Sequence, residues 1–179
     1  SSSRRARGSA GAGSRASRWV LKTPHHLGYL DVLFRILPGT KVVLTHRDPL
    51  ATIPSFASLI HTLRTLMSDD PDPLVTGHQW AGKMQRMVER CMAVRAQYPE
   101  RFLDVRYREL VADPMAQIRR IYAFAGLVLS PAAEERMRAW AIENARERRP
   151  PHRYTLDQFG LTEAGLRSAF AAYRDRFVE

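Results

Sequence analysis

The chain has 179 residues, 45% of them hydrophobic, which is enough for one domain with a real core and excludes a wholly disordered chain. Its net charge is +10, and among its 28 basic residues only Lys22, Lys41 and Lys83 are lysines. Cys91 is the single cysteine, so an internal disulfide is excluded, and no apolar run reaches the roughly 18 residues of a membrane span.

Residues 1–17, SSSRRARGSAGAGSRAS, are low in complexity and read as a disordered leader, followed by a single domain over 18–179. Trp19-Val20-Leu21 reads as a short buried strand ending at Lys22. Leu27, Leu30, Leu33, Phe34 and Leu37 recur at helical spacing over 25–37, and Pro38-Gly39 ends that helix. Lys41–Thr45 is β-branched and apolar, as a parallel core strand requires. Asp48-Pro49 is a helix start, with Asp as N-cap and Pro in the first turn, and the helix runs to about Leu66 with an expected kink at Pro54. Residues 68–74, SDDPDPL, read as a mobile surface loop.

A long amphipathic helix is expected over 75–98, placing Trp80, Met84, Met87, Val88, Met92 and Val94 toward the core. Phe102–Tyr107 reads as a third strand. Glu109-Leu110 starts a short helical turn, Asp113-Pro114 opens a helix that Gly126 closes, and a further helix spans 131–148. Residues 152–161 read as a loop and Thr162–Phe177 as one terminal amphipathic helix. Strands alternating with helices predict an α/β fold with a parallel central sheet flanked by helices.

In such a sheet, ligands bind outside the carboxyl ends of the strands. Lys22, His25 and His26 follow the first expected strand, and Arg47 and Ser55 follow the second. This points to an anionic ligand bearing phosphate or sulfate. Arg47 stands beside a helix N-terminus, where the dipole and backbone N–H groups favour anions, and Ser55 adds a hydroxyl. The alternative pairs Arg47 with Asp48 or another carboxylate and makes Ser55 a plain helix residue. Lys22 can stabilise charge on a leaving oxygen, while an imidazole takes a proton from an attacking hydroxyl. His25 and His26 compete for that role; the alternative is a capping histidine and a surface lysine. His46 reads as a hydrogen-bonding residue at a strand end, and His61 and His78 as helix-surface residues. No pair of histidines has metal-ligand spacing, so no metal is expected. The arginines gather in residues 4–18, in RERRPPHR (146–153) and along solvated helix faces, so no specific nucleic-acid partner is expected. A lone cysteine and no secretory signal suit a cytoplasmic location.

The stretch LKTPHHLGYLDVLFRILPGTKVVLTHRDPLATIPSFASL resembles bacterial members of the sulfotransferase family. Lys22-Thr23-Pro24-His25-His26 matches their lysine-Ser/Thr-Pro-x-His element, His46-Arg47-Asp48-Pro49 their HRDP turn, and Ser55 their serine eight residues past the arginine. VRYRELVADPMAQIRRIYAFAGL (105–127) and PHRYTLDQFGL (151–161) are similar to two downstream family segments. The resemblance covers residues 19–177. It implies a three-layer, P-loop-like fold and a sulfuryl donor, 3'-phosphoadenosine 5'-phosphosulfate (PAPS), with transfer to a hydroxyl or amine. It implies that Arg47 and Ser55 hold the donor's 3'-phosphate, with Arg153 adding to that site. Tyr107 would lie near the adenine, Lys22 near the transferred sulfate, and His26 would be the base, with His25 second.

The family also carries an N-terminal Pro-Lys/Arg-Ser-Gly-Thr-Thr-type loop that grips the 5'-phosphosulfate. Residues 1–18 contain no such loop. The chain is therefore expected to be the C-terminal portion of a sulfotransferase, N-terminally incomplete and, on its own, marginally stable, poorly soluble or inactive. The acceptor stays open among small-molecule, glycan, lipid and peptide hydroxyls, as does the oligomeric state. One competing reading is another phosphate-ligand α/β enzyme, such as a nucleotide kinase, which would need a phosphate loop and a magnesium-binding carboxylate. The other is a non-catalytic remnant that binds a nucleotide, an anion or a partner chain.

Overall fold

The computed structural model describes residues 18–144 and 154–178. The described chain is mixed α/β, mostly helical, with a small parallel sheet of two strands, β1 (Val42–His46) and β2 (Phe102–Arg106). The register pairs Val42 with Phe102, Leu44 with Asp104 and His46 with Arg106, so the two strands end together.

The helices begin where short side chains can satisfy their first N–H groups. Asp48 caps α2 (Pro49–Thr65), Asp72 caps α3 (Pro73–Gln97), Asp113 caps α5 (Pro114–Ala125) and Ser130 caps α6 (Pro131–Glu143), and each is followed by proline. Before them, Pro24–Gly28 forms a 3-10 turn and Leu30–Ile36 forms α1. Tyr107–Ala112, here α4, follows β2 directly. Gly126 closes α5 with φ 65°, a conformation that suits glycine.

Two buried clusters hold these elements. Ile53 and Ala57 of α2 pack with Phe159, Leu161, Leu166 and Phe170, while Leu30 and Phe34 of α1 pack with Cys91 and Val94 of α3 and Phe102 of β2. Gly77 of α3 lets the Asp157–Phe159 turn come close: a Cβ there would lie 2.1 Å from the Phe159 carbonyl oxygen.

Four expectations need correction. Trp19-Val20-Leu21 is not a strand; β1 pairs with β2, and Trp19 and Val20 are 83% and 92% exposed. Three apolar residues do not make a strand without a neighbour to take their backbone hydrogen bonds. This segment is instead tied down by Arg18, whose guanidinium donates to the Ala125 carbonyl at 2.7 Å. Phe102–Arg106 is accordingly the second strand, not the third. The 68–74 loop is shorter than expected, because Asp72 accepts from Leu74 N–H at 2.7 Å and starts α3 at Pro73. The terminal helix is two helices, α7 (Glu163–Ala169) and α8 (Ala171–Phe177), broken at Phe170. The break lets Phe170 stay in the core while α8 turns toward the strand ends. By contrast, α2 is continuous through Pro54, which is buried.

Candidate functional site

The site grows out of the shared ends of β1 and β2. His46 and Arg106 are the last paired residues, so the next residues, Arg47 and Tyr107, leave the sheet side by side. The Arg47 guanidinium carbon lies 4.4 Å from the centroid of the Tyr107 ring, a cation–π contact. Tyr107 is half-buried and opens α4.

Asp48 does not pair with Arg47. Its carboxylate accepts from Leu50 N–H at 3.0 Å and from Arg174 of α8 at 2.7 Å. Among the described residues no carboxylate forms an ion pair with Arg47. The helix terminus itself offers less to an anion than expected. Pro49 has no N–H, Leu50 N–H is capped, and the N–H groups of Ala51 and Thr52 both bond the Asp48 carbonyl at 3.0 Å. An anion at this terminus would meet the Arg47 side chain and the helix dipole, with Ser55 half-buried on α2.

His46 sits beneath Arg47 in a buried relay. Its Nε2 lies 2.9 Å from Asp104 Oδ1 and its Nδ1 3.1 Å from the Tyr173 hydroxyl, and its ring stacks on Phe177 with centroids 3.8 Å apart. Arg95 also pairs with Asp104. An ionised carboxylate only accepts, so Nε2 carries the proton toward Asp104 and Nδ1 accepts from Tyr173 O–H. Burial pushes the His46 pKa below its ordinary value despite Asp104, so His46 is a neutral structural link. Arg95 and His46 outweigh burial at Asp104 and hold its carboxyl below the usual range. Burial raises the Tyr173 phenol to about 12 and the Cys91 thiol to about 11, so neither supplies an anionic nucleophile at neutral pH.

Lys22, His25 and His26 occupy the segment leading into the Pro24–Gly28 turn and the turn itself. Lys22 and His25 are exposed and His26 is half-buried. Thr23 caps the turn, its hydroxyl accepting from His25 N–H at 3.4 Å. The His25 ring meets Trp80 of α3 edge-on with centroids 6.2 Å apart, and Trp80 in turn meets Phe56, the neighbour of Ser55, at 5.0 Å. Lys83 lies 4.3 Å above the Trp80 ring. Trp80 thus joins the histidine turn to the helix that carries Ser55. Arg153 lies outside the described residues. Among the described residues, no group of three or more potential ligands is placed to hold a metal, and no helix is long and apolar enough to cross a membrane.

A sequence model described as the sulfotransferase family matches residues 3–131. The chain belongs to the sulfotransferase family. It is 27% identical over 150 residues to the omega-hydroxy-beta-dihydromenaquinone-9 sulfotransferase Stf3 of Mycobacterium bovis, an alignment that takes in 80% of this chain and 38% of that protein. It is 33% identical over 114 residues to protein-tyrosine sulfotransferase A of Caenorhabditis elegans, with 64% of this chain and 29% of that one aligned. Its fold is similar to the crystal structure of sulfotransferase STF9 from Mycobacterium avium, with a TM-score of 0.78 and 31% identity over 89% of this chain and 42% of that one. Sulfotransferase STF1 from Mycobacterium tuberculosis gives a TM-score of 0.66 with 32% identity, covering 87% of this chain and 40% of its own. This sulfotransferase-family chain therefore spans about two fifths of the length of these mycobacterial relatives.

Sequence reasoning missed Asp104, Tyr173, Arg174 and Phe177, which gather around His46 and Asp48, the last three from more than 120 positions away. An Asp inside the apolar strand FLDVR was the one local signal available. His61 was read as a surface residue; it is half-buried, its ring 6.3 Å from Phe159.

Proposed function

We propose that the complete protein transfers a sulfuryl group from PAPS to a hydroxyl or amine acceptor, and that this chain supplies the part that holds the donor's 3'-phosphate. The observation that carries the reading is Arg47. It leaves the sheet at a strand's carboxyl end, is relieved of Asp48 by Arg174, and lies over an aromatic ring. A planar guanidinium in that setting is suited to a phosphate dianion, and Tyr107 is suited to lie near the adenine. Ser55 adds a hydroxyl and Arg153 a second cation to the same phosphate. Exposure of Val43 on β1, together with exposed Trp19 and Val20, supports completion of the sheet by further strands in a three-layer, P-loop-like fold.

In the reaction the acceptor oxygen forms a bond to sulfur as the bond from sulfur to the 5'-phosphate oxygen breaks. His26 takes the acceptor's proton, with His25 second in that role. Lys22 stabilises the charge that gathers on the transferred group and on the leaving phosphate, which departs as 3'-phosphoadenosine 5'-phosphate. Two relatives are named for an omega-hydroxylated dihydromenaquinone and for a protein tyrosine, which supports a hydroxyl acceptor without choosing its class. Coverage of about two fifths of the mycobacterial relatives supports donor binding without turnover by this chain alone.

Calorimetric titration with 3'-phosphoadenosine 5'-phosphate, adenosine 5'-phosphate and magnesium-ATP tests the reading. The expected result is an affinity at least about tenfold higher for the 3'-phosphorylated nucleotide than for adenosine 5'-phosphate, since a charged pair is made with one and not the other. Equal affinities overturn it, and magnesium-dependent binding of ATP in preference to both favours a kinase.

A further inference from the structure

Helix α8 touches the strand ends at two consecutive residues, and both contacts flank Arg47. Tyr173 reaches His46 Nδ1 at 3.1 Å, and Arg174 reaches Asp48 Oδ1 at 2.7 Å. Arg174 is only 6% exposed, and a buried guanidinium is costly unless it is paired. Phe177, one turn on, stacks against the His46 ring, and the Arg95 guanidinium carbon lies 5.5 Å from the Phe177 ring centroid. The residues before and after Arg47 are thus fixed by groups more than 120 positions away in sequence, while the Arg47 side chain is turned toward Tyr107.

We propose that α8 is a positioning clamp for Arg47, with Tyr173 setting the backbone through His46 and Arg174 withdrawing the Asp48 carboxylate from the guanidinium. This rests on the reading of Arg47 as the phosphate-holding arginine. The part played by Arg174 is electrostatic. Asp48 is the carboxylate adjacent to Arg47 in sequence, and without Arg174 it becomes an internal competitor for the cation that an anionic ligand needs. Tyr173 and Arg174 touch no ligand in this scheme; they act through His46 and Asp48.

The test uses the full chain and two readouts. In NMR spectra the Arg47 Nε–H resonance, assigned with Arg47→Lys, is displaced by the Tyr107 ring and reports the position of the guanidinium whether or not a nucleotide binds. Titration with 3'-phosphoadenosine 5'-phosphate reports the ligand. Tyr173→Phe and Arg174→Met are expected to move the Arg47 resonance toward that of a solvated arginine and to weaken nucleotide binding about three- to tenfold, the scale of one lost hydrogen bond. Arg174→Lys is expected to recover part of the loss. Adding Asp48→Asn to Arg174→Met is expected to restore binding further, because Asn keeps the helix cap and removes the competing charge. Resonances of Phe159 and Leu166, in the separate core cluster, are expected to stay in place. An unmoved Arg47 resonance in both Tyr173→Phe and Arg174→Met overturns the clamp, as does a double variant no better than Arg174→Met. If the wild-type chain binds no nucleotide while the Arg47 shifts are as expected, the donor-site reading fails and the clamp stands.

Discussion

Arg47 lies face-on to Tyr107, 4.4 Å from the ring centroid, because the strands that precede them run parallel and end in register at His46 and Arg106. Sixty residues of sequence separate the two side chains, yet one pairing register places them together. A cation–π contact also occupies none of the guanidinium's N–H donors as a hydrogen bond would, so they stay available to an anion.

If the ring positions the cation, Tyr107→Leu weakens binding of 3'-phosphoadenosine 5'-phosphate by roughly three- to thirtyfold, the range of an exposed to a desolvated cation–π contact. Tyr107→Phe keeps the ring face and stays close to wild type. Calorimetry on the two variants checks this, and equal losses in both would assign the effect to the hydroxyl instead.

Acid should destabilise the fold through His46. Its folded pKa lies below the ordinary 6.5, so the unfolded chain binds more protons in the interval between the two values. The stability His46 contributes is present above 6.5 and is lost as pH falls through that interval. Asp104, held below its ordinary 3.8, adds a second loss at lower pH with the same sign. Thermal unfolding between about pH 5 and 7 should therefore show a falling Tm with acidification, flattened in His46→Gln. A wild-type Tm that rises on acidification across that range contradicts the account.

Gly77→Ala should be severe, because Gly77 is buried where α3 meets the Asp157–Phe159 turn. The new Cβ meets a backbone oxygen at 2.1 Å, not a movable side-chain tip, so α3 and the Asp157–Phe159 turn must separate. A loss of about 1–3 kcal/mol or more is expected from denaturant unfolding, on the scale of overpacking. Gly39→Ala, where nothing lies within 4 Å, serves as the mild control.

Asp72→Ala should cost about 1 kcal/mol, the usual worth of a side-chain N-cap. Faster amide exchange at Leu74 and Val75, whose N–H groups bond the Asp72 carboxylate, would locate the effect at the start of α3.

Local signals in the chain carried much of this structure. Asp48-Pro49 and Asp113-Pro114 announced α2 and α5, Gly126 announced the end of α5, and the apolar runs at 41–45 and 102–107 announced the two strands. The motifs around Arg47 and Tyr107 singled out both as site candidates, but not that the two side chains would lie against each other. What was not legible depends on partners far away. Trp19-Val20-Leu21 has the composition of a buried strand, but only a neighbouring strand could make it one. The break at Phe170 is set by the core pocket that ring fills and by the pull of α8 toward His46, neither of which periodicity records. Lys22 and the two histidines were found together because their own short segment places them together. Their association with Trp80 and Phe56 required the packing of α2 on α3.

The most direct measurement is calorimetric titration of the wild-type chain and Arg47→Ala with 3'-phosphoadenosine 5'-phosphate, each verified as folded by its thermal transition. The account predicts binding by the wild type and a loss of at least about tenfold in the variant, the cost of removing one charge-assisted contact to phosphate. Equal binding by the two folded proteins would contradict it, since the nucleotide would then be held somewhere other than the shared ends of β1 and β2.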